Sequence, residues 1–200
     1  MKRSHLSRAL GLMFLASLFV FAQPQVFSQS TSAAKDLAKD EEQLSKLTTQ
    51  EERFYLTTRL ASLALAAGET AKATTYSNWL LEQAPGWIGD WNYGNAIHVA
   101  HLVLGEIALN AGDLAEAKRQ LLEAAKIPGS PQLDTFGPNM RLAKQLLAKG
   151  DRDTVIQYFD LCAKFWEGSR GRLEAWKAAI QKGEEPNFGA NLVYQLDGFQ

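Results

Sequence analysis

With 200 residues, 46% of them hydrophobic and 22% charged, the chain suits one soluble domain plus a leader and can bury a core. Three of the 21 Lys and Arg, but none of the 22 Asp and Glu, lie in residues 1–28, so the remainder carries 18 basic against 22 acidic residues. That balance excludes nucleic acid as the main partner, because phosphate contact needs a basic face, and a lone cysteine, Cys162, excludes an internal disulfide.

Lys2, Arg3 and Arg8 precede an uncharged apolar run from Ala9 to Ala22. A basic start followed by such a run predicts a secretory signal peptide over residues 1–28, with Ala22 and Ser28 as the cleavage positions. The run is short for about 30 Å of hydrocarbon, which weighs against an uncleaved anchor. The mature protein is therefore expected to be exported, periplasmic or secreted, without a membrane segment. The small polar stretch QPQVFSQSTSAA follows, and its end, residues 29–34, reads as a flexible linker. Residues 35–200 read as one helical domain.

A charged helix is expected from Ala34 to Leu47, with Leu37, Leu44 and Leu47 as its apolar stripe. Thr48 and Glu51 stand at capping-box spacing and predict the next helix start. The first helix pair occupies about residues 50–85. The join after it, PGWIGDWNYGN, sets Trp87, Trp91 and Tyr93 among three glycines and Asp90. Such rings either fill a gap between helix pairs or contact a partner. Filling is the weightier reading for the loop as a whole, and its rings are the best contact candidates if a partner is met.

The segment from Asn95 to Pro131 predicts two helices joined at Gly112-Asp113. Ile97, His101, Leu104, Ala108 and Leu109 share one face of the first; Leu114, Ala117, Leu121, Leu122 and Ala125 share one face of the second. Gly112 suits a left-handed stop, and Asp113 with Glu116 forms a cap. The second join, PGSPQLDTFGPNM, is stiffened by three prolines, and Gly137-Pro138 suits the first turn of the following helix. Asp134 and Thr135 are its polar candidates for a ligand, and Asn139 joins them as a contact residue. A third pair ends at Phe165 and Trp166, which should seal the stack. A helix over Arg172–Lys182 then caps it through Leu173, Trp176 and Ile180. The tail keeps enough apolar residues to pack back on the helices, and its Phe188-Gly189-Ala190-Asn191 echoes Phe136-Gly137-Pro138-Asn139.

Anchored on Gly68, Gly112 and Gly150, three segments match. Leu60, Ala61 and Ala64 precede the first glycine; Leu104, Gly105 and Ala108 the second; Leu142, Ala143 and Leu146 the third. Ala73, Ser77 and Leu80, then Ala117, Leu121 and Ala124, then Val155, Phe159 and Cys162 follow them. Over residues 50–167 this pattern resembles the tetratricopeptide family, whose small residues let paired helices pack closely. The glycines stand 44 and 38 residues apart, beyond the 34 of that family, so the joins carry extra residues. The family's Trp and Tyr of the first helix are missing. The pieces Gly94–His98, Gly129–Leu133, Phe136–Met140 and Phe188–Leu192 are also similar to a group of exported bacterial helical-repeat proteins, a likeness that carries no activity with it. What the resemblance implies is an all-α array of about three helix-turn-helix repeats with extra N- and C-terminal helices.

Chemistry is thinly supported. His98 and His101 lie three apart and could face one metal, with Glu106 further along, but no HExxH or cysteine pair completes a site. An acid pair of Asp90 and Asp134 would need both joins to meet across one cleft. Nucleophile elbows and glycine-rich phosphate loops are absent, so neither an enzyme nor a cofactor is expected. The expected function is a protein-interaction module meeting its partner through Trp87, Asp90, Trp91, Tyr93, Asp134 and Asn139. The alternatives are a small-molecule or glycan platform on the same aromatic loop, Trp87–Tyr93, and, behind it, a metal-dependent enzyme at His98 and His101.

Overall fold

The computed structural model describes residues 24–194 and 196, and all regular structure among them is helical. The chain runs through α1 (Pro24–Lys46), α2 (Gln50–Ala66), α3 (Thr70–Gln83), a 3-10 turn (Ala84–Trp87) and α4 (Tyr93–Asn110). It continues through α5 (Leu114–Glu123), α6 (Pro131–Phe136), α7 (Arg141–Ala148), α8 (Arg152–Cys162), a 3-10 turn (Glu167–Ser169), α9 (Arg172–Gln181) and a last 3-10 turn (Gly189–Leu192). The basic start, the apolar run and the Ala22 position lie outside the described residues, whereas Ser28 falls inside α1. No described helix is long and apolar enough to cross a membrane.

One turn recurs. Gly68, Gly112 and Gly150 sit at φ 78°, 84° and 86°, which a residue with a Cβ rarely adopts. Each donates to the carbonyl three residues back, and the next residue donates to the carbonyl five back: Glu69 to Ala64, Asp113 to Ala108, Asp151 to Leu146. This glycine stop satisfies the last carbonyls of the helix it ends. Asp113 and Asp151 then cap α5 and α8 by accepting from the N–H of Glu116 at 2.9 Å and of Thr154 at 3.2 Å. Of the matched positions around these turns, only Leu104 is less than fully buried. A fourth copy, which the sequence pattern did not reveal, ends α9: Gly183 has φ 81°, and Glu184 donates to Ala179. Among the described residues no further α-helix follows, and the chain passes through Pro186 to the 3-10 turn Gly189–Leu192.

Several expectations are corrected. Residues 29–34 are part of α1 and not a linker: Ala33, Leu37, Asp40 and Leu44 recur at helical spacing and pack against the following helices. Asp40 pairs with Arg59 at 3.1 Å, and Glu41 accepts from the Tyr76 hydroxyl at 2.8 Å, which pins α1 to α2 and α3. The cap of α2 is Thr49 with Glu52, one residue later than predicted, since Leu47–Thr49 are needed to turn out of α1. Met140, not Gly137-Pro138, precedes the first turn of α7.

The predicted face of α4 is also wrong. Of the predicted face only Ala108 is buried, and Ile97, His101, Leu104 and Leu109 are partly exposed, whereas Ala96, Val99, Ala100, Leu102 and Val103 are sealed. A helix packed against α2, α3, α5, α6 and α7 is central, and apolar residues then surround it instead of forming a stripe. Leu114 likewise is exposed at the start of α5.

The C-terminal end closes as expected. Phe165 and Trp166 are buried, Trp166 lies 5.7 Å from Trp176, and Arg172 stacks over Trp166 at 4.9 Å. The tail returns onto this cluster: Phe188 meets Trp176 edge-on at 5.0 Å, and the Trp176 indole donates to the Asn187 carbonyl at 3.0 Å.

Candidate functional site: a groove between the two inserted segments

The extra residues that lengthen the repeat spacing have definite places. Between α3 and α4 they form the 3-10 turn and aromatic loop; between α5 and α7 they form α6 and its flanks. The N-terminus of α4 lies tight against the second insertion. A Cβ on Gly94 would stand 2.0 Å from the Gly129 carbonyl oxygen, so only glycine admits this contact. Just beyond it, the Asn95 amide donates to Asn92 at 3.2 Å and Gln132 at 3.1 Å and accepts from the Ser130 hydroxyl at 2.6 Å. Ser130 also caps α6 by accepting from Leu133 N–H.

These contacts wall a groove of about 420 Å³. One side is α2, with Glu52, Tyr55, Leu56, Thr58, Arg59 and Ser62; the other is Trp91, Asn92, Asn95 and Val99; Gln132 and the end of α1 (Gln43, Leu47) complete it. The volume falls within the range of ligand-sized clefts. Its walls mix apolar carbons with side-chain amides; those of Asn92 and Asn95 are buried and bonded within the protein, and those of Gln43 and Gln132 are the ones a main chain or polar ligand can reach.

The predicted loop residues divide. Trp87 is half-buried and stacks flat on Phe54, with centroids 5.1 Å apart and planes 12° apart, so it fills a gap. Trp91 is 47% exposed on the groove wall and lies 5.1 Å from the Tyr55 ring at a 56° tilt. Asp90 accepts from the Tyr55 hydroxyl at 2.7 Å and from Asn92 N–H at 2.7 Å, which fixes the loop on α2. Glu51 lies on the other side of that hydroxyl at 2.9 Å. The Asp90 bond, then burial and Glu51, hold the Tyr55 pKa well above its ordinary value. Tyr93 is half-buried, opens α4 and is not part of the groove wall.

The second join contributes differently from expectation. Asn139 is fully buried and cannot meet a partner. Its amide donates to the carbonyls of Leu192 and Tyr194, and its Oδ1 accepts from Arg141 N–H. Asp134 turns away from the groove toward Gly129 and Glu167; burial, then Glu167, raises its pKa. The groove takes in the neighbour of Asp90 but not Asp134, so the two aspartates do not share it. Gln132 is the residue that α6 presents.

His98 and His101 both have hydrogen-bonding roles. His98 is sealed between helices: its Nδ1 donates to the Ala124 carbonyl at 2.8 Å, and its Nε2 accepts from Asn139 N–H at 3.2 Å. Those two bonds fix the tautomer, and burial lowers its pKa to about 4. His101 Nδ1 lies 2.6 Å from the Gln120 amide oxygen, and burial lowers its pKa too. Glu106 pairs with Arg141 at 2.7 Å. Cys162 is buried with its thiol pKa raised. Among the described residues no three His, Cys, Asp or Glu are grouped as metal ligands.

Tyr55, Asn92, Asn95 and Gln132 were not singled out from sequence. One signal was available for Tyr55: adjacent aromatics on a helix cannot share a face, so a buried Phe54 turns Tyr55 aside. Comparison with protein-family models, curated proteins and solved structures finds no match for this chain.

Proposed function

We propose that this chain is an exported, tetratricopeptide-like helical-repeat protein that binds a segment of another protein in the groove between α2, the aromatic loop and α6. The observation that carries the reading is that both inserted segments contribute walls to one groove, through Trp91 and Asn92 on one side and Gln132 on the other. Added segments that converge on one cleft are better explained by recognition than by packing, which the repeated turns already secure. The threefold recurrence of the glycine turn supports the repeat assignment. A half-buried Gln132 amide across from an exposed tryptophan suits an extended segment, whose main chain the amide bonds and whose side chains meet the ring. Export rests on Lys2, Arg3, Arg8 and the apolar run that follows them.

Affinity capture with the full chain, from the proteins of its own compartment, tests this. A partner retained by the wild type and lost with Trp91→Ala is the expected result. If the same proteins are retained by Trp91→Ala and by Gln132→Ala, the groove is not the binding site.

A further inference from the structure

Three acids cluster around Tyr55 where it lines the groove; Glu52 and Arg59 are the charged residues of the wall itself, and Glu51 and Asp90 stand behind the Tyr55 hydroxyl. The single proton of the Tyr55 hydroxyl faces two carboxylates, Asp90 at 2.7 Å and Glu51 at 2.9 Å, and can be donated to only one at a time. On the same turn of α2, Glu52 lines the groove and receives the Thr49 hydroxyl at 2.6 Å. Among the described residues none of these three acids is in an ion pair. The nearby cations are committed elsewhere. Arg53 donates to the carbonyls of Leu44 and Leu47, and Arg59 is tied to Asp40 at 3.1 Å. Beside the acids stand two tilted aromatic rings, Tyr55 and the exposed Trp91. Aromatic faces attract cations, and carboxylates at the rim strengthen that attraction while repelling anions.

We propose that the groove recognises an extended protein segment through a lysine or arginine side chain, seated on the Trp91 and Tyr55 rings and held by Glu51, Glu52 and Asp90. This rests on the groove being the protein-binding site. The aliphatic stem of the basic residue covers the ring faces, and its charged head meets the carboxylates. The half-buried Gln132 amide on the other side of the groove is placed for the flanking main chain, whereas Asn92 is buried and donates to the Thr58 hydroxyl at 3.3 Å. A groove of about 420 Å³ exceeds what one side chain fills, so the occupant is a segment and not a lone cation.

The test uses the full chain and fluorescein-labelled nonapeptide pools, random in Gly, Ser and Ala, with a central Lys or Arg, a central Ala or a central Glu. Anisotropy titrations are expected to show the basic pools binding about tenfold tighter than the alanine pool, with the glutamate pool weakest. Glu51→Gln, Glu52→Gln and Asp90→Asn combined should abolish that preference, and Trp91→Ala should weaken every pool. Wild-type protein gives a second readout free of any folding effect: the preference should shrink as salt rises from about 0.05 to 0.5 M. Equal binding of all pools, or a basic preference that survives the triple exchange or high salt, overturns the basic recognition. If Trp91→Ala still weakens binding in that case, the groove reading stands. Absence of binding by any pool, or indifference to Trp91→Ala, overturns this inference together with the groove reading.

Discussion

Asn139 and Asn191 fasten each other's segments. The Asn139 amide donates to the tail carbonyls of Leu192 and Tyr194, and the Asn191 amide donates back to the carbonyls of Phe136 and Pro138 at 3.0 Å each. Met140 N–H adds a bond to the Asn191 carbonyl at 2.7 Å. The two echoing sequences therefore pack on one another. Asn139→Ala or Asn191→Ala leaves carbonyls in the interface without donors, and each should cost about 1–3 kcal/mol in urea unfolding. Because either change frees the same tail, the double variant should cost less than the sum. Strict additivity would show that the two asparagines act independently.

How much of this was readable beforehand depended on how local the cause was. The glycine turns, the capping helix and the buried Trp176 follow from spacing along a few residues, and they stand where expected. The all-helical architecture follows from the same periodicities. The burial of α4 did not follow, because its neighbours come from α2 and α7, far apart in sequence. Asn139 illustrates the same limit: its polarity suggested a contact residue, but His98 and Tyr158 bond its backbone and the tail, 53 residues on at Leu192, takes up its amide. The groove was half visible. Trp91 and Asp90 could be picked out as an aromatic loop with a charge, but Tyr55 and Gln132 belong to it only because α2 and α6 meet the start of α4.

His98 gives the fold an acid sensitivity. Its pKa is about 4 when folded against about 6.5 in an unfolded chain, so between these values the unfolded state binds the extra proton. Stability should therefore fall as pH drops from about 6.5 to 4, by about 3 kcal/mol for this group. His101, also lowered, acts in the same direction. Urea midpoints across that range check it. His98→Gln should be less stable at pH 7 but lose less between pH 6.5 and 4.5, and an unchanged slope would refute the assignment.

The two loop tryptophans should behave oppositely. Trp87→Ala removes the ring stacked on Phe54 and should destabilise by about 2–3 kcal/mol. Trp91→Ala leaves the core untouched and should cost less than about 1 kcal/mol. Thermal unfolding of the two single variants distinguishes them, and equal losses would contradict the division between filler and wall.

Two glycines should fail for different reasons. Gly112→Ala meets no atom but must hold φ 84°, at a cost of about 1–2 kcal/mol. Gly94→Ala forces a methyl onto the Gly129 backbone and must part α4 from the second insertion, at a cost of more than about 2 kcal/mol. Only the second should also weaken binding in the groove, measured with whichever partner or peptide the wild type retains. Equal binding by both variants would mean that the approach of the two insertions does not shape the groove.

The most direct measurement is site-specific photocrosslinking of the full chain in its native cell. A photoreactive residue at Gln132 or Leu56 should give a discrete adduct with one protein, which Trp91→Ala removes. The same residue at Glu174, exposed on α9, should give none. Adducts at Glu174 that match those from the groove, or none from the groove positions, would contradict the account.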